Sequence, residues 1–141
     1  MKNEIEPVEY VEKIRILSLL DIGLFKLKSA YYRKANKDFY DLDFLTDCQP
    51  FSQLVEKLKE KESIYSGEQY KCIFDLDETD SVLNNIKMLI DFDEINYESQ
   101  SDKPSHSNDL INIIQGQKKL PAAKRSFKRK VAQFIKETKI L

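Results

Sequence analysis

Leu20, Leu24, Leu27 and Tyr31 recur at intervals of three and four residues. That interval gathers side chains on one face of a helix and scatters them across both faces of a strand. The same spacing returns in Phe39, Leu42 and Leu45, in Leu54, Val55 and Leu58, in Val82, Leu83, Ile86 and Leu89, and in Phe127, Val131, Phe134 and Ile135. A chain patterned in this way must bury apolar stripes against one another, so the expected fold is mainly α, a helical array. Only Glu9 to Leu17 departs from it. Val11, Ile14 and Ile16 alternate loosely there among β-branched residues, which reads as one strand or a ragged extended segment. One or two short strands therefore precede the helices.

Local signals set the expected boundaries. Ser18-Leu19-Leu20-Asp21 resembles a capping box: the hydroxyl can accept from a first-turn N–H, and the acid favours the positive end of the helix dipole. That helix should run to about Tyr32. Ala35-Asn36-Lys37 reads as a break, with Asp38 capping a second helix from Phe39 to Leu45. Pro50 suits the first turn of a third helix from Phe51 to Glu62. Ser66-Gly67 marks a turn, and Gln69 to Leu76 is ambiguous between strand and helix start. Ser81 to Leu89 is expected to be helical. Residues 96–109 are polar, with Pro104 and several serines, and are expected to form an exposed loop. Leu110 to Ile114 reads as a short helix closed near Gly116, and Pro121 should start a basic last helix over 121–139.

The 141 residues fit a single domain, 1–141. A chain of that length buries roughly two-thirds of its unfolded surface, so no disulfide or metal is needed for stability. No apolar run approaches the roughly 20 residues of a membrane span, so no membrane partner is expected. Met1 to Tyr10 lacks the basic and apolar regions of a secretory signal. Cys48 and Cys72 form no C-x-x-C pair and read as reduced thiols, so a cytoplasmic location is expected.

Net charge is −1, yet the charges are segregated. Between Glu62 and Asp102 the acids are opposed only by Lys71 and Lys87. From Gln117 onward the bases run from Lys118 to Lys139 and are opposed only by Glu137. Such asymmetry suggests an acidic middle meeting a basic tail, or a basic face offered to a polyanion such as tRNA.

One segment carries more than amphipathicity. It reads Ser18-x-x-Asp21-Ile22-x-x-x-Lys26-Leu27, then Arg33, then Lys37-Asp38-Phe39-Tyr40-Asp41-Leu42-Asp43-Phe44-Leu45. This ordered set resembles the central signature of the AbiEii/AbiGii nucleotidyltransferase-like toxin family, closely over about 30 residues. Ile90-Asp91-Phe92-Asp93-Glu94 is loosely similar to a further stretch of that family. The rest is similar only to the family's helical C-terminal half. The spacing suits the chemistry. Lys26 and Arg33 are two helical turns apart, and Asp38 and Asp41 share a face of the next helix. Nucleotidyl transfer needs cations on a triphosphate and carboxylates on a metal or an attacking hydroxyl. The resemblance implies that Lys26 and Arg33 contact nucleotide phosphate, that Asp41 completes the acidic site, and that Asp38 supports them.

Family members also carry a Gly-Ser turn and an Asp-x-Asp strand that binds metal. The 17 residues before Ser18 contain neither. The resemblance therefore implies an incomplete transferase domain, inactive alone. It would bind no metal or cofactor by itself, and would act with Mg²⁺ and a nucleoside triphosphate when another chain supplies the catalytic half. An antitoxin is a further partner the resemblance implies. The alternative is a non-enzymatic module that binds a protein or nucleic acid through its basic last helix.

Other constellations rank lower. Asp75-Leu76-Asp77-Glu78-Thr79 is similar to the first motif of haloacid-dehalogenase-type phosphatases, with Asp75 as nucleophile and Asp77 as acid/base. Downstream, Lys87 comes too soon, no series of buried parallel strands follows, and too few residues remain for that sheet. His106 is the only histidine and has no cysteine near it, so no histidine-based metal site is expected. Gly23, Gly67 and Gly116 are isolated and build no phosphate loop.

Overall fold

The computed structural model describes residues 4–70, 80–91 and 111–138. The chain is mainly helical, as its periodicity requires. A two-stranded antiparallel hairpin, β1 (Glu9–Val11) and β2 (Ile14–Ile16), leads into α1 (Leu19–Arg33), α2 (Asn36–Cys48) and α3 (Phe51–Ile64). Short 3₁₀ turns follow at Glu68–Tyr70, Val82–Asn84 and Ile86–Leu89, and α4 (Leu120–Thr138) closes the described chain.

The hairpin is the two-strand form of the one or two short strands expected before the helices, and it divides the Glu9 to Leu17 segment in two. Tyr10 pairs with Arg15 and Val11 with Ile14 across a turn at Glu12-Lys13. Glu12 sits at φ 57. That region favours glycine, so the turn carries no glycine or asparagine signature by which a sequence reveals a hairpin. Every residue of both strands is exposed.

The start of α1 forms as the sequence predicts. Ser18 Oγ accepts from Asp21 N at 3.0 Å. The helix ends on Lys34, whose φ of 52 and N–H bond to Ala30 O make a left-handed cap. The second helix begins earlier than predicted. Ala35 is the cap residue and Asp38 N already donates to Ala35 O at 3.0 Å, so Asp38 lies inside the first turn. Pro50 stands at the cap of α3.

Leu20, Leu24, Leu27 and Ala30 of α1 enter one core with Phe39 and Leu42 of α2, Leu54, Val55 and Leu58 of α3, and Phe127 and Val131 of α4. Phe127 stacks edge-on against Phe51 at 6.0 Å and tilts against Phe39 at 6.2 Å, binding α4 to both helices. Gly23 lets α1 approach α3 closely, because a Cβ there would lie 2.9 Å from Leu54 Cδ2. Leu54 is fully buried, so it has little room to yield.

Two predicted helices do not form. Over 81–89 the chain makes two 3₁₀ turns, divided at Asn85 with φ −148 and ψ 68. Ser81 Oγ accepts from Leu83 N, and such short polar side chains compete with helix continuation. Val82 and Leu89 still reach the core. Residues 111–114 are not helical, and Ile114 is 78% exposed. Five residues are fewer than a helix needs to repay its nucleus. The predicted loop over 96–109 lies outside the described residues, as does most of 69–76.

Candidate functional site

The fold brings Lys26, Asp38 and Asp41 together. The first lies midway along α1 and the two acids in the opening turns of α2, which folds back across the break at Lys34-Ala35. Lys26 Nζ lies 2.6 Å from Asp41 Oδ2 and 3.2 Å from Asp38 Oδ1. Exposure grades across the cluster: Asp38 is fully buried, Lys26 is 29% exposed and Asp41 is 45% exposed. Burial works to lower the Lys26 pKa, but the Asp41 and Asp38 carboxylates outweigh it and hold the ammonium above its ordinary value. Arg33 is the last residue of α1.

The cluster holds one cation between two carboxylates, with its outer carboxylate open to solvent. An ammonium has three donors, and two are committed here. The third can meet a phosphate oxygen, and Asp41 can exchange its partner because it is the more solvated acid. The donor set does not suit Mg²⁺. Asp38 is sealed from solvent and the ammonium occupies the space between the two acids. Among the described residues, no group of three His, Cys, Asp or Glu side chains could hold a metal ion.

Among the described residues, two lysines of the C-terminal region meet acids of α2. Lys118 Nζ lies 2.8 Å from both Asp43 Oδ2 and Asp47 Oδ2. Lys130 Nζ lies 2.8 Å from Asp43 Oδ1 and 2.6 Å from Asp47 Oδ1, and donates to Asp43 O and Thr46 Oγ1. Burial would raise the Asp43 pKa, but Lys118 and Lys130 draw it below the usual carboxylate value. The same lysines lower Asp47. Sequence reasoning missed this network. Its only local signal is the pair of acids one turn apart on α2.

A second missed pair is more deeply set. Asp21 and Lys61 are both fully buried, with Lys61 Nζ 3.2 Å from Asp21 Oδ1. Asp21 also accepts from Ile5 N at 2.9 Å and Glu6 N at 3.0 Å, so one carboxylate holds the capping hydroxyl of Ser18 and ties down the N-terminal segment. The Lys61 ammonium sits 4.3 Å from the centre of the Phe25 ring. Burial pushes the Lys61 pKa down, against Asp21. For Asp21 burial works upward, yet the Ile5 and Glu6 amides and Lys61 leave it lowered.

Asp75, Asp77, Thr79, Cys72 and His106 lie outside the described residues, as do Phe92, Asp93 and Glu94. Cys48 is an exposed free thiol. No helix among the described residues is long and apolar enough to cross a membrane. Comparison of the chain with protein-family models, characterised proteins and solved structures finds no match.

Proposed function

We propose that this chain carries the phosphate-contacting half of a nucleotidyltransferase-type site, completed by metal-binding carboxylates outside the described helices. The observation that supports the reading is the placement of Lys26 Nζ between Asp38 and Asp41 at a solvent-reachable surface. The resemblance of the Ser18 to Leu45 segment assigns these same residues to nucleotide phosphate and to the acidic site.

In this reading Asp38 is a positioning residue. Buried and fixed in α2, it sets the direction of the Lys26 side chain. Lys26 offers its remaining donor to a phosphate oxygen of a nucleoside triphosphate. In the transfer, an acceptor hydroxyl oxygen bonds to the α-phosphorus and the bond to the β-phosphate oxygen breaks, releasing pyrophosphate. Asp41, the exposed acid, is placed to take the hydroxyl proton. A divalent cation held by the completing half would neutralise triphosphate charge.

Calorimetric titration with ATP, GTP, CTP and UTP in the presence of Mg²⁺ tests the reading. Binding of at least one nucleotide is expected, and Asp41→Asn with Lys26→Ala should abolish it. Lys26→Ala leaves the buried Asp38 carboxylate without this ammonium, so folding of the variant is checked by circular dichroism. No binding by any nucleotide would overturn the reading.

A second reading, a binding module acting through α4, is favoured by the cations that remain exposed on that helix.

A further inference from the structure

Two sets stand out among the cations of the C-terminal region. Lys118 and Lys130 are engaged by Asp43 and Asp47. Arg125, Lys128, Arg129 and Lys136 are exposed. Their intervals of three, four and seven residues set them on one face of α4. The opposite face carries Phe127 and Val131, both fully buried. No acidic residue occurs between Leu120 and Lys136. Among the described residues, none of the four exposed cations forms an ion pair.

Lys128 also lines a shallow depression of about 360 Å³ shared with Lys87, Ile90, Asp91, Ala132 and Ile135. Lys87 is exposed and belongs to a different element, the 3₁₀ turn at Ile86–Leu89. The turn thus adds a fifth cation beside the stripe, against one acid, Asp91.

We propose that this face of α4, flanked by Lys87, docks the phosphodiester backbone of a nucleic-acid duplex. Arg125 to Lys136 span about 16 Å along the helix axis. A duplex strand presents a phosphate about every 3.4 Å of its axis, so several lie within reach. Four like charges fixed on one face repel one another, and a polyanion relieves that repulsion. A membrane surface suits the face poorly, because the apolar side of α4 is already committed to the core. An acidic protein would need apolar anchors at the centre of its interface, whereas Ala132 is the one exposed apolar residue among the four cations and Ile90 and Ile135 are half-buried at the edge. No aromatic residue lies among the four cations, so bases find no stacking platform. The contact is therefore with backbone charge, and RNA and DNA duplexes should bind alike. The inference does not rest on the Lys26 site.

Fluorescence anisotropy of the 141-residue chain with short labelled RNA and DNA duplexes tests it. Four phosphate contacts give a slope of log affinity against log salt near −3.6, so affinity should fall about 100-fold between about 50 and 200 mM salt. Arg125→Gln with Arg129→Gln should make that slope shallower by about 2. Lys57→Gln, on exposed α3 surface, should leave it unchanged. Absence of binding at about 50 mM salt, or an unchanged slope in the α4 variant, would overturn the proposal. So would equal competition by anionic phospholipid vesicles or polyglutamate, or a preference beyond about tenfold between RNA and DNA.

Discussion

Lys61 Nζ lies 3.2 Å from Asp21 Oδ1, and neither side chain reaches solvent. A buried ion pair contributes little relative to well-packed apolar residues, but removing one partner strands the other charge at a cost of about 3–5 kcal/mol. Lys61→Met is therefore expected to destabilise the chain by roughly 3 kcal/mol in urea unfolding. Asp21→Asn with Lys61→Met should cost less than the sum of the single changes. Additive costs would mean that the two charges act independently.

The N-terminal segment depends on the same carboxylate. Asp21→Ala removes the acceptor for Ile5 N and Glu6 N. Amide hydrogen exchange at Ile5 and Glu6 should speed up more than at Leu54, whose amide lies in α3. Uniform change across the chain would contradict a local tether.

Loss of stability in acid follows from three carboxylates. Asp21, Asp43 and Asp47 are all held below their ordinary pKa in the folded chain. The unfolded chain then binds more protons, so stability rises with pH. The contribution is complete above the unfolded value, near 4, and is lost as pH falls through the lower folded values. Thermal unfolding between about pH 5 and 2 should show this decline. Replacing Asp43 and Asp47 by Asn should flatten it, and an unaltered profile would remove these groups from the account.

The two lysines that join α4 to α2 are not equivalent. Lys130 is 20% exposed and also bonds to Asp43 O and Thr46 Oγ1, whereas Lys118 is 45% exposed. Lys130→Met should cost about 2 kcal/mol, since it removes several bonds near a buried acid. Lys118→Met should cost under about 1 kcal/mol, because its ammonium is largely solvated and Lys130 still faces Asp43. Chemical denaturation distinguishes the two, and equal losses would contradict the ranking.

Lys34 closes α1 at φ 52, where a side chain is strained. Lys34→Gly should stabilise the chain by about 0.5–1 kcal/mol. A loss of stability would show that the 3.5 Å contact from Lys34 Nζ to Asp91 O outweighs the backbone relief.

The helix α1 was legible because its apolar residues keep helical spacing over three turns, and α3 and α4 because Pro50 and Pro121 mark their starts. Where the pattern was shorter, local chemistry decided. The side chains of Ser81 and Asn84 make local hydrogen bonds, and the chain there forms 3₁₀ turns despite Val82, Ile86 and Leu89. The Glu12 turn escaped because its conformation favours a residue the sequence does not supply. Lys26, Asp38 and Asp41 were legible as a cluster because a short break had to fold α2 back on α1. The sequence suggests a cap at Asp38, but α2 starts at Asn36 and leaves Asp38 inside its first turn. Lys61 and Lys130 could not be matched to their acids from the sequence, because those partners stand 40 and 87 residues away.

Selective labelling of lysine side chains tests the central claim most directly, by following the Lys26 NMR signal as a nucleoside triphosphate is added with Mg²⁺. The account predicts a saturable shift at Lys26, absent at Lys57 and lost in Asp41→Asn. A Lys26 signal that stays fixed while the α4 lysines move would contradict a phosphate-contacting site between α1 and α2.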